Sequence, residues 1–211
     1  MEPFIQTHQY NFIKEQVQYL VNGHASVNDF DVLKTLESLA IEKVTSQFDG
    51  LQEEQKEVLN GITNIQDKED AVLFLARIKS HVIPFPDISE NTIHKLFPKT
   101  KKLKTPRLEN IDFKETTYLS WIDKGSSKKF IVAPHFGTLI GVKGSFTNSN
   151  QKGICTLCNG NEEVGLFVSE EKGTGNGTYV KRGSHICRNS ETCNQNITNL
   201  KKMDEFLNRI K

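Results

Sequence analysis

Two apolar periodicities and one cluster of cysteines predict an α+β chain, with a helical bundle first and a mixed α/β domain after it. Over residues 1–98 apolar side chains recur at steps of three and four, the repeat of a single helix face. From about residue 110 the repeat shortens to that of extended strands, and four cysteines fall between positions 155 and 193. The expected organisation is a bundle over 1–98, a basic linker over 99–109 and a second domain over 110–211.

The bundle reads as four segments. Tyr10, Ile13, Val17, Leu20 and Val21 line one face before Asn22-Gly23, the expected stop. Asn28 or Asp29 can cap the next helix, whose stripe is Leu33, Leu36, Ala40, Val44 and Phe48. Leu51, Val58, Leu59 and Ile62 mark a thinner third segment interrupted by Gly61. The fourth begins near Asp67, with Glu69 and Asp70 suited to its first turn, and carries Val72, Leu75, Ile78 and Val82 up to Pro84 and Pro86. These apolar side chains are expected to pack as core. A short helix over Ser89 to Leu96 follows, ended by Pro98. Lys99 to Arg107 holds five basic residues and little apolar content, the composition of a linker or exposed loop.

The second domain begins extended, over Tyr118 to Ile122, Lys129 to Ala133 and Thr138 to Val142, bounded by turn residues. Val164 to Ser169 and Thr178 to Lys181 suggest a further hairpin around Gly173-Thr174-Gly175-Asn176-Gly177. Helical spacing returns from Asn196 to Ile210. The glycine-rich stretch lacks the strand-to-helix setting and the closing Gly-Lys-Ser/Thr of a phosphate loop, so a turn accounts for it better.

At 211 residues, 36% hydrophobic and 25% charged, the chain is long enough to bury a core without disulfides and too apolar to be disordered. No apolar run reaches membrane-spanning length, and the first residues lack a basic start and apolar stretch, so a cytoplasmic protein with no membrane partner is expected. The net charge of +1 conceals a polarised molecule: residues 1–98 hold 8 Lys+Arg against 15 Asp+Glu, and the remainder 19 against 11. The positive half suits nucleic acid, a ribosome or an acidic protein surface equally well.

Cys155-Thr156-Leu157-Cys158 sets two thiols across a tight turn, from which both sulfurs can reach one ion while turn amides stabilise the thiolates. Cys187 and Cys193 supply a second pair after 28 intervening residues, room for the expected hairpin. In a reducing compartment such a cluster reads as a metal site, and the spacing matches no ferredoxin pattern. One structural Zn2+ with four sulfur ligands and no open position is the expectation, in a treble-clef-like four-cysteine zinc finger. The second pair is irregularly spaced, which leaves His185 as a possible substitute ligand and His135 as a weaker one. No hydrolase elbow, metalloprotease His-Glu pair or placed nucleophile and base is present, so catalysis is the poorer hypothesis. Lys181, Arg182 and His185 are expected on a loop between a strand and the third cysteine, which a closed metal site would hold rigid so that the two cations can meet an acidic partner. Phe206, with Met203 and Ile210, makes a small stripe that reads either as core or as an exposed anchor.

The acidic helical half, the Pro84-Phe85-Pro86 break, the Phe130 to Gly144 stretch, Ile154 to Asn159, Lys181 to Cys187 and Cys193-Asn194 together resemble the FusB/FusC family of fusidic acid resistance proteins over the full length. The resemblance implies no enzymatic activity, zinc on Cys155, Cys158, Cys187 and Cys193, and binding to translation elongation factor G through the zinc-bearing domain. It also implies release of that factor from ribosomes stalled by the drug, with Lys181, Arg182, His185 and Phe206 facing the partner. The ribosome is then engaged through the factor and direct nucleic-acid contact is not expected. The rival reading is a zinc-stabilised module whose basic half contacts RNA or the ribosome directly, although few aromatics interleave with its cations.

Overall fold

The computed structural model describes residues 1–100, 102–172 and 178–210. The expected turn at Gly173 to Gly177 lies outside the described residues. The chain forms two compact units, Met1–Ile83 and Pro84–Lys211.

In the first unit, α1 (Thr7–Ser26), α2 (Phe30–Thr45), α3 (Glu53–Asn60) with a 3-10 turn at Gly61–Asn64, and α4 (Lys68–Lys79) surround one core. Capping starts them as the sequence suggests: the Asp29 carboxylate accepts from Asp31 and Val32 N–H, and Asp67 from Glu69 and Asp70 N–H. All five residues of the α1 stripe are buried. Gly23 does not stop that helix, which continues to Ser26; a Cβ there would meet Leu36 Cδ1 at 2.8 Å, so the glycine admits the close approach of α2. The α4 stripe also differs from expectation. Val72 is 66% exposed, whereas Ala71, Phe74 and Ile78 face the core, because the larger Phe74 ring sets the rotation of the helix. Val82 lies beyond the helix and bridges in parallel to Ile5, so the start and end of the unit are strapped together.

In the second unit a five-stranded antiparallel meander runs in chain order: β1 (Leu119–Asp123), β2 (Lys128–His135), β3 (Thr138–Ile154), β4 (Asn161–Lys172) and β5 (Tyr179–Cys187). Side chains alternate between its faces. Tyr118, Ile131, Ala133, Phe146, Phe167 and Ile186 share a core with α6 (Ser190–Asn196) and α7 (Lys201–Arg209) through Met203, Phe206 and Leu207. Leu119, Phe130 and Val132 point the other way, under Phe85, Ile88, Ile93 and Phe97 from the segment carrying α5 (Glu90–Leu96). That packing puts the division between units at Ile83 and Pro84, earlier than residue 98. The aromatic side chains that follow the prolines bury on the sheet, and even Leu103 of the basic stretch joins them. Two glycines keep the sheet tight. A Cβ at Gly165 would meet the Thr147 carbonyl at 2.7 Å and the Phe146 ring, and one at Gly144 the Phe167 ring at 2.8 Å, so each phenylalanine ring fills the space that a side chain at the glycine would need.

Candidate metal centre and docking face

The β3–β4 connection carries Cys155 and Cys158, the end of β5 carries Cys187, and α6 carries Cys193. Their four sulfurs lie within 4.8 Å of one another, and no disulfide joins them. Cys155 and Cys193 Sγ are 3.7 Å apart, as are Cys158 and Cys187 Sγ. A tetrahedron with metal–sulfur distances of about 2.3 Å has edges of about 3.8 Å, so the thiols stand where four zinc-bound thiolates would. Amides already point at the sulfurs: Leu157 N–H donates to Cys155 Sγ (3.4 Å), Gly160 N–H to Cys158 Sγ (3.4 Å) and Cys187 N–H to Cys155 Sγ (3.3 Å).

The electrostatics favour the same ion. Hydrogen bonds from Cys158, Cys187 and Cys193 hold the Cys155 thiol far below the ordinary cysteine range. Donation to Cys155 and Cys158 pushes Cys187 and Cys193 far above it. Four such sulfurs cannot ionise together on their own, and a divalent cation is what lets all four carry charge. Tyr118 adds a further sign. Its hydroxyl is buried without a regular hydrogen-bond partner, and burial, followed by Cys193, pushes its phenol well above the usual range. A thiolate at Cys193 is the acceptor such a hydroxyl lacks. The donor set thus fits one structural zinc ion, held by Cys155, Cys158, Cys187 and Cys193, with no position open to a substrate. His185 is not in the set: its side chain is exposed, and its carbonyl accepts from Thr156 N–H at 2.8 Å, tying β5 to the zinc knuckle.

The residues expected to face a partner are not on a loop. Lys181, Arg182 and His185 belong to β5, paired with Glu170, Ser169 and Leu166 of β4. The register sends Lys181 and His185 to one face and Arg182 to the other. Lys181 Nζ pairs with Glu170 across the ladder at 2.8 Å, and the hydrogen bond to that carboxylate raises its pKa. Beside them Leu166 is 40% exposed on the same face. Phe206 is 1% exposed and packs on Phe167 with ring centres 5.9 Å apart. As found, it supports the sheet from beneath and is not a surface anchor; the α7 stripe turns inward because Met203 and Leu207 share its core.

Two residues around the centre escape a motif-based reading. Lys129 is buried, and its ammonium donates to the carbonyls of Cys187 and Arg188, each at 3.0 Å. Burial draws its pKa down to about 8, against the opposing pull of Cys193, Cys187 and Cys155. Period-two parity was the available signal, since Lys129, Ile131 and Ala133 share an inward face. The Asn194 side chain accepts from Thr117 and Tyr118 N–H at 2.7 and 3.0 Å and donates to the Tyr118 and Ser190 carbonyls at 3.0 and 2.9 Å, clamping the approach to β1 onto α6. Nothing local in the sequence signals that clamp.

Among the described residues no helix is long and apolar enough to cross a membrane. Residues 4–86 match the family model described as elongation factor G-binding protein, N-terminal, and residues 95–209 that of the FBP C-terminal treble-clef zinc-finger. No curated protein sequence matches the chain. The solved structure of the fusidic acid resistance protein FusC is similar to it, with a TM-score of 0.85 and 30% identity over 99% of this chain and 98% of that one. An α+β chain with a closed four-cysteine centre, matched in both halves and over nearly its whole length, belongs to the FusB/FusC family of elongation factor G-binding proteins.

Proposed function

We propose that the chain confers fusidic acid resistance by target protection: it docks on elongation factor G and draws the factor off ribosomes on which the drug has stalled it. Membership of the family supports the partner, and the open β4–β5 face supports the mode. The observation that carries the reading is the tie between that face and the metal centre. The Thr156 amide holds the His185 carbonyl at 2.8 Å, and Cys187, two residues on, is a ligand. A face braced in this way loses little conformational entropy on docking. Lys181, His185 and Leu166 offer it a cation, an imidazole and an apolar centre within one patch. Removal of the factor from the ribosome is then a shift of populations, which requires tighter binding to a state on the release path than to the stalled one.

The test is capture of purified elongation factor G by the full chain after nuclease treatment at moderate salt, with Lys181→Ala and Arg182→Ala made separately. Retention of the factor, weakened by Lys181→Ala more than by Arg182→Ala, is the expected result. Loss of all capture on nuclease digestion would transfer the function to RNA binding. Equal effects of the two substitutions would remove the open face from the mechanism. Release is read separately, as the fraction of factor sedimenting with drug-stalled ribosomes when the chain is added.

A further inference from the structure

We propose that Lys129 is the buried counter-cation of the zinc centre, and that it sets how tightly the four thiolates hold their ion. The inference starts from an ammonium in an unusual place. Lys129 is 1% exposed on the inward face of β2, and among the described residues no carboxylate forms an ion pair with it. Its hydrogen bonds go to the carbonyls of Cys187 and Arg188, both at 3.0 Å, and the Phe146 ring lies 4.8 Å away. Carbonyl dipoles and a ring face satisfy the donors but do not neutralise the charge. A full charge withdrawn from water is costly unless an opposite one lies close, and the main chain that the ammonium grips is that of Cys187, one of the four clustered cysteines.

The balance works in both directions. A divalent ion with four thiolates carries a net charge of about −2, in a site whose ligands Cys155, Cys187 and Cys193 are all buried. One nearby ammonium reduces that excess and favours the fully deprotonated ligand set that zinc needs. The same ammonium fixes the backbone immediately after a ligand, since it grips Cys187 and the next residue. Lys129 thus combines charge and orientation, as groups hydrogen-bonded around metal ligands do elsewhere. The inference is independent of the docking reading, because it concerns retention of the ion and not capture of a partner.

The test compares the unsubstituted chain with Lys129→Met, which keeps most of the apolar stem, and Lys129→Arg, which keeps the charge. Each is refolded from denaturant across a series of buffered free zinc concentrations. Circular dichroism follows folding, and a chelating indicator reports bound zinc. Lys129→Met is expected to need about 10- to 100-fold more free zinc than the wild type, the usual penalty for losing a partner of a metal ligand. Lys129→Arg is expected to recover most of that loss. Wild-type zinc affinity in Lys129→Met overturns the proposal. So does an arginine variant as weak as the methionine one, or a methionine variant that stays unfolded at saturating zinc, since either assigns the lysine to packing alone.

Discussion

Replacing Asn194 by alanine isolates a side chain that makes four hydrogen bonds within the second unit. The side chain uses both amide protons and accepts twice: from Thr117 N–H at 2.7 Å and Tyr118 N–H at 3.0 Å, and toward the Tyr118 and Ser190 carbonyls at 3.0 and 2.9 Å. The Ser190 carbonyl opens α6 and keeps the helical ladder as an alternative partner, so three main-chain groups of the buried Thr117 and Tyr118 are at stake. Each buried group left unpaired costs about 1–3 kcal/mol, which sums to roughly 3–9 kcal/mol before relaxation. A cleft lined by Thr116, Tyr118, Ser190 and Asn194 lets water reach the site, which favours the low end, about 3 kcal/mol. The assay is urea unfolding followed by fluorescence of Trp121, the chain's one tryptophan, which lies in β1 just past the clamp. Zinc content is measured in parallel, because Cys193 adjoins Asn194. A loss below about 1 kcal/mol with zinc retained would refute the clamp.

Three further outcomes are expected. Cys155→Ser removes a ligand that also accepts from two amides, and metal binding is worth about 10–16 kcal/mol in small zinc folds; metal analysis and circular dichroism should show zinc and sheet lost while the helical signal of the first unit persists. Gly165→Ala drives a Cβ into the Thr147 carbonyl and the Phe146 ring, neither of which can swing away freely, and should lower stability by about 1–3 kcal/mol in the Trp121 unfolding assay. Phe206→Ala should cost about 3–5 kcal/mol, so any loss of elongation factor G capture must be read against the folded fraction at the same temperature.

The sequence made the metal centre legible because ligation needs particular residue types at constrained spacing, and all four expected cysteines converge. Helices were legible from the stripe, as for α1, whose five stripe residues are all buried, or from the cap, as for α2 with Asp29. Val72 misled because Val72 and Phe74 lie on different faces of α4, and only packing chooses between them. Strand lengths were underestimated. β3 runs 17 residues, past the expected end at Val142, because the polar stretch Thr147 to Lys152 is held by pairing with β4 across a bulge. Lys181 to His185 read as a loop for a similar reason: its polar composition reflects an uncovered sheet face, not irregular backbone. The clamp at Asn194 joins residues 76 and 77 positions apart, a relation that no local pattern encodes.

The charge of the second half bears on docking in a way the register makes specific. An excess of cations over residues 99–211 suggests steering toward an acidic surface, yet on the open face Lys181 is already paired with Glu170, and Arg182 points away from it. An exposed pair of this kind adds little to stability and is screened by salt. The patch is therefore less cationic than the half that carries it. If the proposed docking face is the one used, the remaining cations speed encounter, while discrimination falls to shape and to apolar contact around Leu166 and His185. On this division of labour, raising salt slows association with the factor without abolishing the complex, whereas losing zinc abolishes it, because the ion holds the strand on which the patch is built.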